Sequence, residues 1–518
     1  MKVESGDRRI DGLLIDQSFY SNGVSSWHRA NELGTPVTIS YSFMTFRPFG
    51  SDPDITGFQA MRAAQEAAVQ NILAMFETFA NVTFVQNPDG FEADIQFGTA
   101  ALNSVGFGTK GITYLSWDNF AGNTTYGWLD DVDVYLTNDD AFEADEYDNP
   151  QPDTFAYSVL VHEIGHALGL EHPFEGVRIP AGTDNTRYTI MSYTDGFTQS
   201  EEPFTIMPYD VLALQYLYGA NTSTNSGDTT YDMASYRDGS IQTIWDAGGT
   251  DTVDLSGITT PGPWNGTRSE HTVDLMELID TGAKVFVSGD MLLEDVIGSD
   301  YADFISGTDF ANDIAGGGGN DIILSRGGDD TVTGGSGADE FSNSGGNDTF
   351  SGGSGADLAI GQGGQNDFSG DGGNDTLLGA SGRDDLNGGD DNDLLSGDGY
   401  AIYFGGADSL DGGAGDDKLM GGLGADTFVF RPNDGNDTIA AFDLATQVIE
   451  GRDFDPGQDK IALVGFGYAS ATDALADFRD TATGVVFENV ALGSTVTIYG
   501  VSLDDFGADN IIFDDLGI

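Results

Sequence analysis

His162-Glu163-Ile164-Gly165-His166-Ala167-Leu168-Gly169-Leu170-Glu171-His172 has the pattern H-E-x-x-H-x-x-G-x-x-H. On a helix, His162 and His166 are one turn apart and project from one face. Two neutral imidazoles placed like this can bind one zinc ion. Glu163 lies beside them, free to act as a base instead of a ligand. Gly169 can take a backbone conformation that stops the helix. The chain then turns, and His172 can return as a third ligand. Three nitrogens leave one coordination position open for water, the arrangement of a catalytic metal site. The chain has five histidines, and three of them are in this stretch.

Upstream, Thr154–Leu170 reads as the helix carrying this motif, with Asp153 or Thr154 as its N-cap. Apolar residues recur at helical spacing at Phe58, Met61, Ala64, Ala68, Ile72, Phe76 and Phe79. That predicts a long amphipathic helix whose stripe is core. Strand-like runs occur at Val37–Phe43, Val82–Val85, Ala93–Phe97, Gly111–Trp117 and Val132–Leu136. Strand, long helix, several strands and the His162 helix together predict a mixed α/β (α+β) domain over residues 1–235.

The 518 residues suffice for two or more domains with sizeable cores. With 85 acidic and 19 basic side chains the formal net charge is −66. Such a field repels a nucleic-acid backbone and anionic membranes, and needs salt or bound cations to be tolerable. Hydrophobic residues at 39% and aromatics at 11% are too many for a mostly disordered chain. The chain has no cysteine, so disulfides and thiolate metal sites are excluded. Met1–Asp7 lacks the apolar run of a secretory signal peptide, and no apolar run is long enough to span a bilayer. An export address, if there is one, lies elsewhere or has been removed.

From Gly298 the chain repeats Gly-Gly-x-Gly-x-Asp-x-U-x every nine residues, U being apolar. The phase holds from 298 to 396. Gly397–Ile402 then shifts it by six residues and is expected to bulge as a loop, and the repeat resumes at 403, 412 and 421. The sixth position is Asp303, Asp321, Asp330, Asp339, Asp348, Asp357, Asp375, Asp384, Asp393, Asp408, Asp417 and Asp426, with Asn312 and Asn366 as exceptions. Glycines permit tight turns that point carbonyls inward. The aspartates add carboxylate oxygens, making the hard oxygen cage that Ca²⁺ takes. Ile323, Val332, Phe341 and Leu377, two places after an aspartate, fill a core between short strands. Two units make one turn of a right-handed parallel β-roll over 298–440, with calcium between turns and each turn dependent on its neighbours. The asparagines weaken their own calcium sites. Residues 236–297 connect to the roll, and 441–518 form a β-rich end.

Past the histidines, Tyr188-Thr189-Ile190-Met191-Ser192-Tyr193 matches the turn that names the metzincin proteases. With Pro173 after His172 and Tyr193 two places after Met191, the chain resembles one metzincin family, the serralysins. So do Tyr209–Ala220, which resembles the segment closing their protease domain, Trp245–Asp254, Phe454–Leu463 and Ile10–Leu14. The resemblance spans nearly the whole chain. It implies a secreted bacterial zinc endopeptidase, with His162, His166 and His172 as ligands and Glu163 as base. It implies Met191 packed beneath the metal. Tyr193 becomes a further ligand at rest that stabilises the transition state in turnover. It carries calcium roles to Asp246, Gly248 and Asp251, with Gly227 and Thr229 as the other half of that site. Gly111, Ile112, Thr113, Tyr114 and Leu115 become the edge strand that pairs with an extended protein or peptide substrate. The family also implies a monomer, several structural Ca²⁺ ions, a proteinaceous inhibitor, and type I export by an uncleaved C-terminal signal. Asp514-Asp515-Leu516-Gly517-Ile518 matches that signal only partly. A calcium-dependent adhesin or toxin with a dead protease-like domain would show damage to a ligand, Glu163 or the Met-turn, and none is seen. A different enzyme on the same repeats, such as a polysaccharide lyase, would make the histidine motif accidental.

Overall fold

The computed structural model describes residues 5, 7–14, 27, 33–46, 56–88, 93–102, 110–115, 117–118, 128–129, 132–138, 147–152, 154–175, 178–194, 203, 205–236, 241–261, 271–274, 278–280, 284–287, 293–399, 405–444 and 446–513. Asp153, residues 400–402 of the insertion and the Asp514–Ile518 terminus are outside the described residues. The chain forms two compact units. One is Met1–Asp228 with Tyr236–Gly249 and Glu277–Met291; the other is Thr229–Ser235, Thr250–Met276 and Leu292–Ile518.

The first unit is built on a six-stranded sheet. Its strands are β1 (Val37–Phe43), β2 (Thr56–Gln59), β3 (Val82–Gln86), β4 (Ile95–Ala101), β5 (Gly111–Tyr114) and β6 (Val132–Thr137), and its order is β3-β1-β4-β6-β5, with β2 antiparallel to β4. The β3, β1, β4 and β6 strands run parallel, and β5 closes the order antiparallel to β6. Helices α1 (Ala63–Phe79) and α2 (Phe155–Ala167) pack their apolar stripes on the sheet, and α3 (Pro208–Tyr218) joins the same core. The α1 helix starts later than the apolar spacing predicts. Gln65 caps it by accepting from Arg62 N–H at 2.7 Å. Phe58 belongs instead to β2, and Val69 and Leu73 join Ala68, Ile72, Phe76 and Phe79 on the buried face.

The second unit is a parallel β-roll. Successive strands alternate between two sheets, so each strand pairs with the one two units along. One sheet aligns Ile305, Ile323, Phe341, Ala359, Leu377, Leu395 and Leu419. The other aligns Ile314, Val332, Phe350, Phe368, Leu386, Leu410 and Phe428. All of these are buried. The register steps by 18 residues until Asp385 pairs with Ser409, a step of 24. Six extra residues are thus accommodated between Ser396 and Ser409 without breaking the stack, and Gly397, expected at the start of the bulge, stays in the stack, its N–H donating to Met420 O at 2.9 Å. Gly337 illustrates why glycine recurs: its φ is +135°, and a Cβ there would lie 1.4 Å from the Gly319 carbonyl oxygen of the preceding turn. Strands from the tail continue both sheets. Lys460–Leu463 pairs with Thr427–Phe430, and Ser494–Tyr499 with Asn436–Ile439.

Candidate metal centre and calcium ladder

Thr154 caps α2, its hydroxyl accepting from Tyr157 N–H at 3.3 Å. Tyr157, Leu160, Val161 and Ile164 bury the core-facing side. The helix ends in a Schellman turn. Leu170 N–H donates to Gly165 O at 3.0 Å and Gly169 N–H to His166 O at 2.9 Å, with Gly169 at φ +96°. This reversal brings His172 back to the other two histidines. The next residue back, Glu171, is held by its N–H on Leu13 O at 2.9 Å.

The ligand atoms of His162, His166 and His172 all lie within 4.8 Å of one another. His166 Nε2 and His172 Nε2 are 3.1 Å apart, near the roughly 3.3 Å expected between nitrogens at tetrahedral zinc. His162 Nδ1 is 2.9 Å from Ile190 O and His166 Nδ1 is 2.8 Å from Leu170 O. A carbonyl only accepts, so each Nδ1 carries the proton and each Nε2 presents its lone pair. His172 Nδ1 faces the carboxylates of Glu171 and Glu175, each at 3.5 Å. Burial lowers the pKa of all three rings, that of His162 to about 4. They are neutral near pH 7, as metal ligation requires. The donor set fits zinc.

Glu163 is buried, and burial pushes its pKa up to about 7 against an opposing hydrogen bond from Thr113. The Thr113 hydroxyl is 2.7 Å from Glu163 Oε2, so β5 holds the carboxyl beside the histidines. Gly111 makes room for it: a Cβ there would stand 2.6 Å from Glu163 Cγ and 2.7 Å from Val159 Cγ1. Gly111→Ala should therefore displace Glu163 and cut turnover by about 10²-fold while zinc content stays at the parent level. Parent-like turnover would show that the strand yields instead. Met191 is fully buried, and its sulfur would lie 2.9 Å from a Cβ at Gly165. Tyr193 is 71% exposed, with its hydroxyl 2.7 Å from His172 Nε2. Although the residue is largely exposed, partial desolvation of its hydroxyl end, then the nearby Glu163, Glu175 and Glu171, raise its pKa and keep the phenol protonated. Phe174 stacks on His172 at 5.0 Å.

The aspartates of the repeats form two ladders. Along one, Asp321 N–H donates to Asp339 Oδ1, Asp339 to Asp357, Asp357 to Asp375 and Asp375 to Asp393, at 2.7 to 2.8 Å. Along the other, Asp330 donates to Asp348, Asn366 to Asp384, Asp384 to Asp408 and Asp408 to Asp426. In Asp330, Asp339, Asp357, Asp375, Asp384, Asp393, Asp408, Asp417 and Asp426 the Oδ2 atom is buried with no hydrogen-bond partner. A row of such oxygens, facing backbone carbonyls across glycine turns, suits a hard cation. Asp303 differs, its Oδ2 accepting from Ser299 N–H at 2.7 Å.

Both ladders run past the motif that reveals them, since Asp417 N–H donates to Asp437 Oδ1 and Asp426 N–H to Asp459 Oδ1. Asn312 and Asn366 put amide nitrogens toward the carbonyls of Glu294 and Gly379, where a cation would otherwise sit. Asn343, which the repeat pattern does not flag, does the same to the Asp348 carboxylate. In the first unit, buried Asp246 accepts from Gly248 N–H at 2.9 Å, and Gly249 packs on the Gly227 backbone. In the second, buried Asp251 accepts from Thr229 N–H at 2.8 Å, and Asp251 N–H donates to Glu294.

Residues 44–219 match the matrixin peptidase family. Segments between 297 and 428 match the RTX calcium-binding nonapeptide repeat, with a gap at 400–404. Serralysin G of Dickeya chrysanthemi is 31% identical over 49% of this chain and 56% of its own length. Metallopeptidase AprA of Pseudomonas marginalis is 30% identical over 43% of this chain and 51% of its own length. Over these regions the chain resembles the serralysin-type metalloproteases. It spans about half the length of the curated relatives it matches. The extracellular lipase LipA of Serratia marcescens matches 52% of this chain and 45% of its own at 18% identity, with a TM-score of 0.19. Among the described residues, no helix is long and apolar enough to cross a membrane.

The sequence places Thr113 only in the substrate edge strand and gives Asp210 no site role. Thr113 reads as a strand residue, and its grip on Glu163 is a tertiary fact. Asp210 reads as an acid in the first turn of α3, yet it is fully buried against the Met-turn.

Proposed function

We propose that the chain is a secreted zinc-dependent endopeptidase hydrolysing peptide bonds in proteins, with a calcium-bound β-roll that serves folding and export. The observation that carries this reading is the convergence of three neutral imidazoles beside one buried, hydroxyl-tethered carboxylate. His162, His166 and His172 would hold zinc, which would supply Lewis acidity at the scissile carbonyl and lower the pKa of water at the site. Glu163 accepts the water proton and returns it to the leaving amine. Thr113 keeps that carboxyl aimed. Tyr193 donates to the developing oxyanion. Gly111–Leu115, at the end of the sheet order, offers an edge on which an extended substrate adds as a strand. Calcium is held along the aspartate ladders and by Asp246, Gly248, Asp251, Gly227 and Thr229. Export through a type I apparatus accords with the ladder's demand for cations.

A casein digest with and without a zinc chelator tests the reading. Chelator-resistant hydrolysis, or none under either condition, would overturn it. Tyr193→Phe should lower kcat by about 10²–10³ with little change in KM. An unchanged kcat would reduce Tyr193 to packing.

A further inference from the structure

His162 differs from the other two histidines in what stands behind its ring. Its Nδ1–H donates to Ile190 O at 2.9 Å. The same peptide unit presents Met191 N–H, which donates to Thr189 Oγ1 at 3.0 Å. The Thr189 hydroxyl donates in turn to Asp210 Oδ1 at 2.5 Å. Every bond runs in one direction, from imidazole through a peptide and a hydroxyl to a carboxylate. The other oxygen, Asp210 Oδ2, accepts from Ile190 N–H at 2.8 Å and Met207 N–H at 2.9 Å. Thr189, Met191 and Asp210 are 0% exposed.

A helix cap alone does not account for this arrangement. Capping α3 needs only the Met207 bond, which a neutral side chain could supply. Burying a carboxyl is costly unless its hydrogen bonds are filled, and here three donors fill them, two from the Met-turn. A unidirectional chain of hydrogen bonds polarises each member, and partners behind a metal-ligating histidine set its tautomer, orientation and basicity.

We propose that Asp210, acting through Thr189 and the Ile190–Met191 peptide, is a positioning residue for metal binding at His162. It holds the ring with Nε2 bare and strengthens that nitrogen as a donor. The proposal rests on the zinc reading of the site.

The test uses the full chain in saturating calcium. Zinc affinity is measured by competition with a chromogenic chelator, and the melting temperature of the zinc-free protein is read in parallel. Thr189→Val keeps shape and loses the hydroxyl, so it should weaken zinc binding about tenfold. Thr189→Ser keeps the hydroxyl and should stay within about twofold of the parent, although its lost buried methyl lowers the melting temperature. Asp210→Asn should weaken zinc at least as much as Thr189→Val. Affinity that follows the hydroxyl and not the melting temperature supports the relay. Thr189→Val binding zinc as tightly as the parent, or affinity falling in step with melting temperature across the variants, overturns it. If Asp210→Asn does not fold, the Thr189 pair still decides. A parent chain that binds no zinc overturns the zinc reading itself, and the relay with it.

Discussion

Glu163→Gln is expected to lower peptide hydrolysis by about 10²–10⁴-fold while the protein keeps its zinc. The side chain is not among the three converging nitrogens, so removing its charge leaves the ligand set whole. Glutamine has the same shape, and its carbonyl oxygen can still accept from the Thr113 hydroxyl, which stands 2.7 Å from Glu163 Oε2. Packing beside Gly111 should survive. What is lost is a group able to take a proton from water and give it back. Burial sharpens the effect, because no solvent base can replace the carboxylate at a site 7% exposed. Casein turnover measured together with metal content by atomic absorption checks this. Near-parental turnover with zinc in place would show that another group is the base.

The convergence of the three histidines was legible in the sequence because helical periodicity and a glycine stop are local. His162 and His166 share a face whatever surrounds them, and Gly169 allows the Schellman turn that returns His172. The roll was legible for a similar reason: its period makes every turn predict the next. What escaped the sequence depends on distant packing. Phe58 and Met61 carry on the helical stripe of α1, yet strand pairing with β4 claims Thr56–Gln59 and the Gln65 cap sets the helix start. Asp210 looks like an ordinary acid in a first helical turn, and only the fold brings the Met-turn onto it. Asp437 and Asp459 have the ladder's hydrogen bond without its full glycine pattern, because the rung is defined by a backbone N–H reaching a carboxylate in the next turn. Asn343 sits where the repeat expects glycine, and its amide contact with Asp348 is visible only across the turn.

Calcium should decide whether the second unit is folded at all. The ladders place buried carboxylates one above another, and the Oδ2 atoms from Asp330 to Asp426 named above lack protein partners. Without a cation, ordering these turns costs about 1–2 kcal/mol per residue in backbone entropy and adds like-charge repulsion. Extracellular calcium modules bind at about 10⁻⁴–10⁻³ M, and with affinities in that range the turns should close only where calcium approaches millimolar. The metal-free fold can escape the repulsion by taking up protons. Burial, reinforced by neighbouring aspartates, raises Asp393 and Asp408 to about 8, Asp426 to about 7, and Asp339 and Asp375 to about 6. The unfolded chain has these groups near the ordinary carboxylate value of about 3.9. A raised folded pKa contributes stability that is fully present below the unfolded value and is lost as pH rises through the folded ones. In chelator, β signal in the 290–518 fragment should therefore be weak at pH 8 and grow as pH falls toward about 5. In millimolar calcium it should be strong at pH 8, because the ions replace the protons, and magnesium should not substitute, preferring smaller octahedral sites. Circular dichroism across pH, with chelator, calcium or magnesium, checks all three arms. A fragment fully folded in chelator at pH 8 and low salt would show that the carboxylates are already satisfied and that calcium is not the switch.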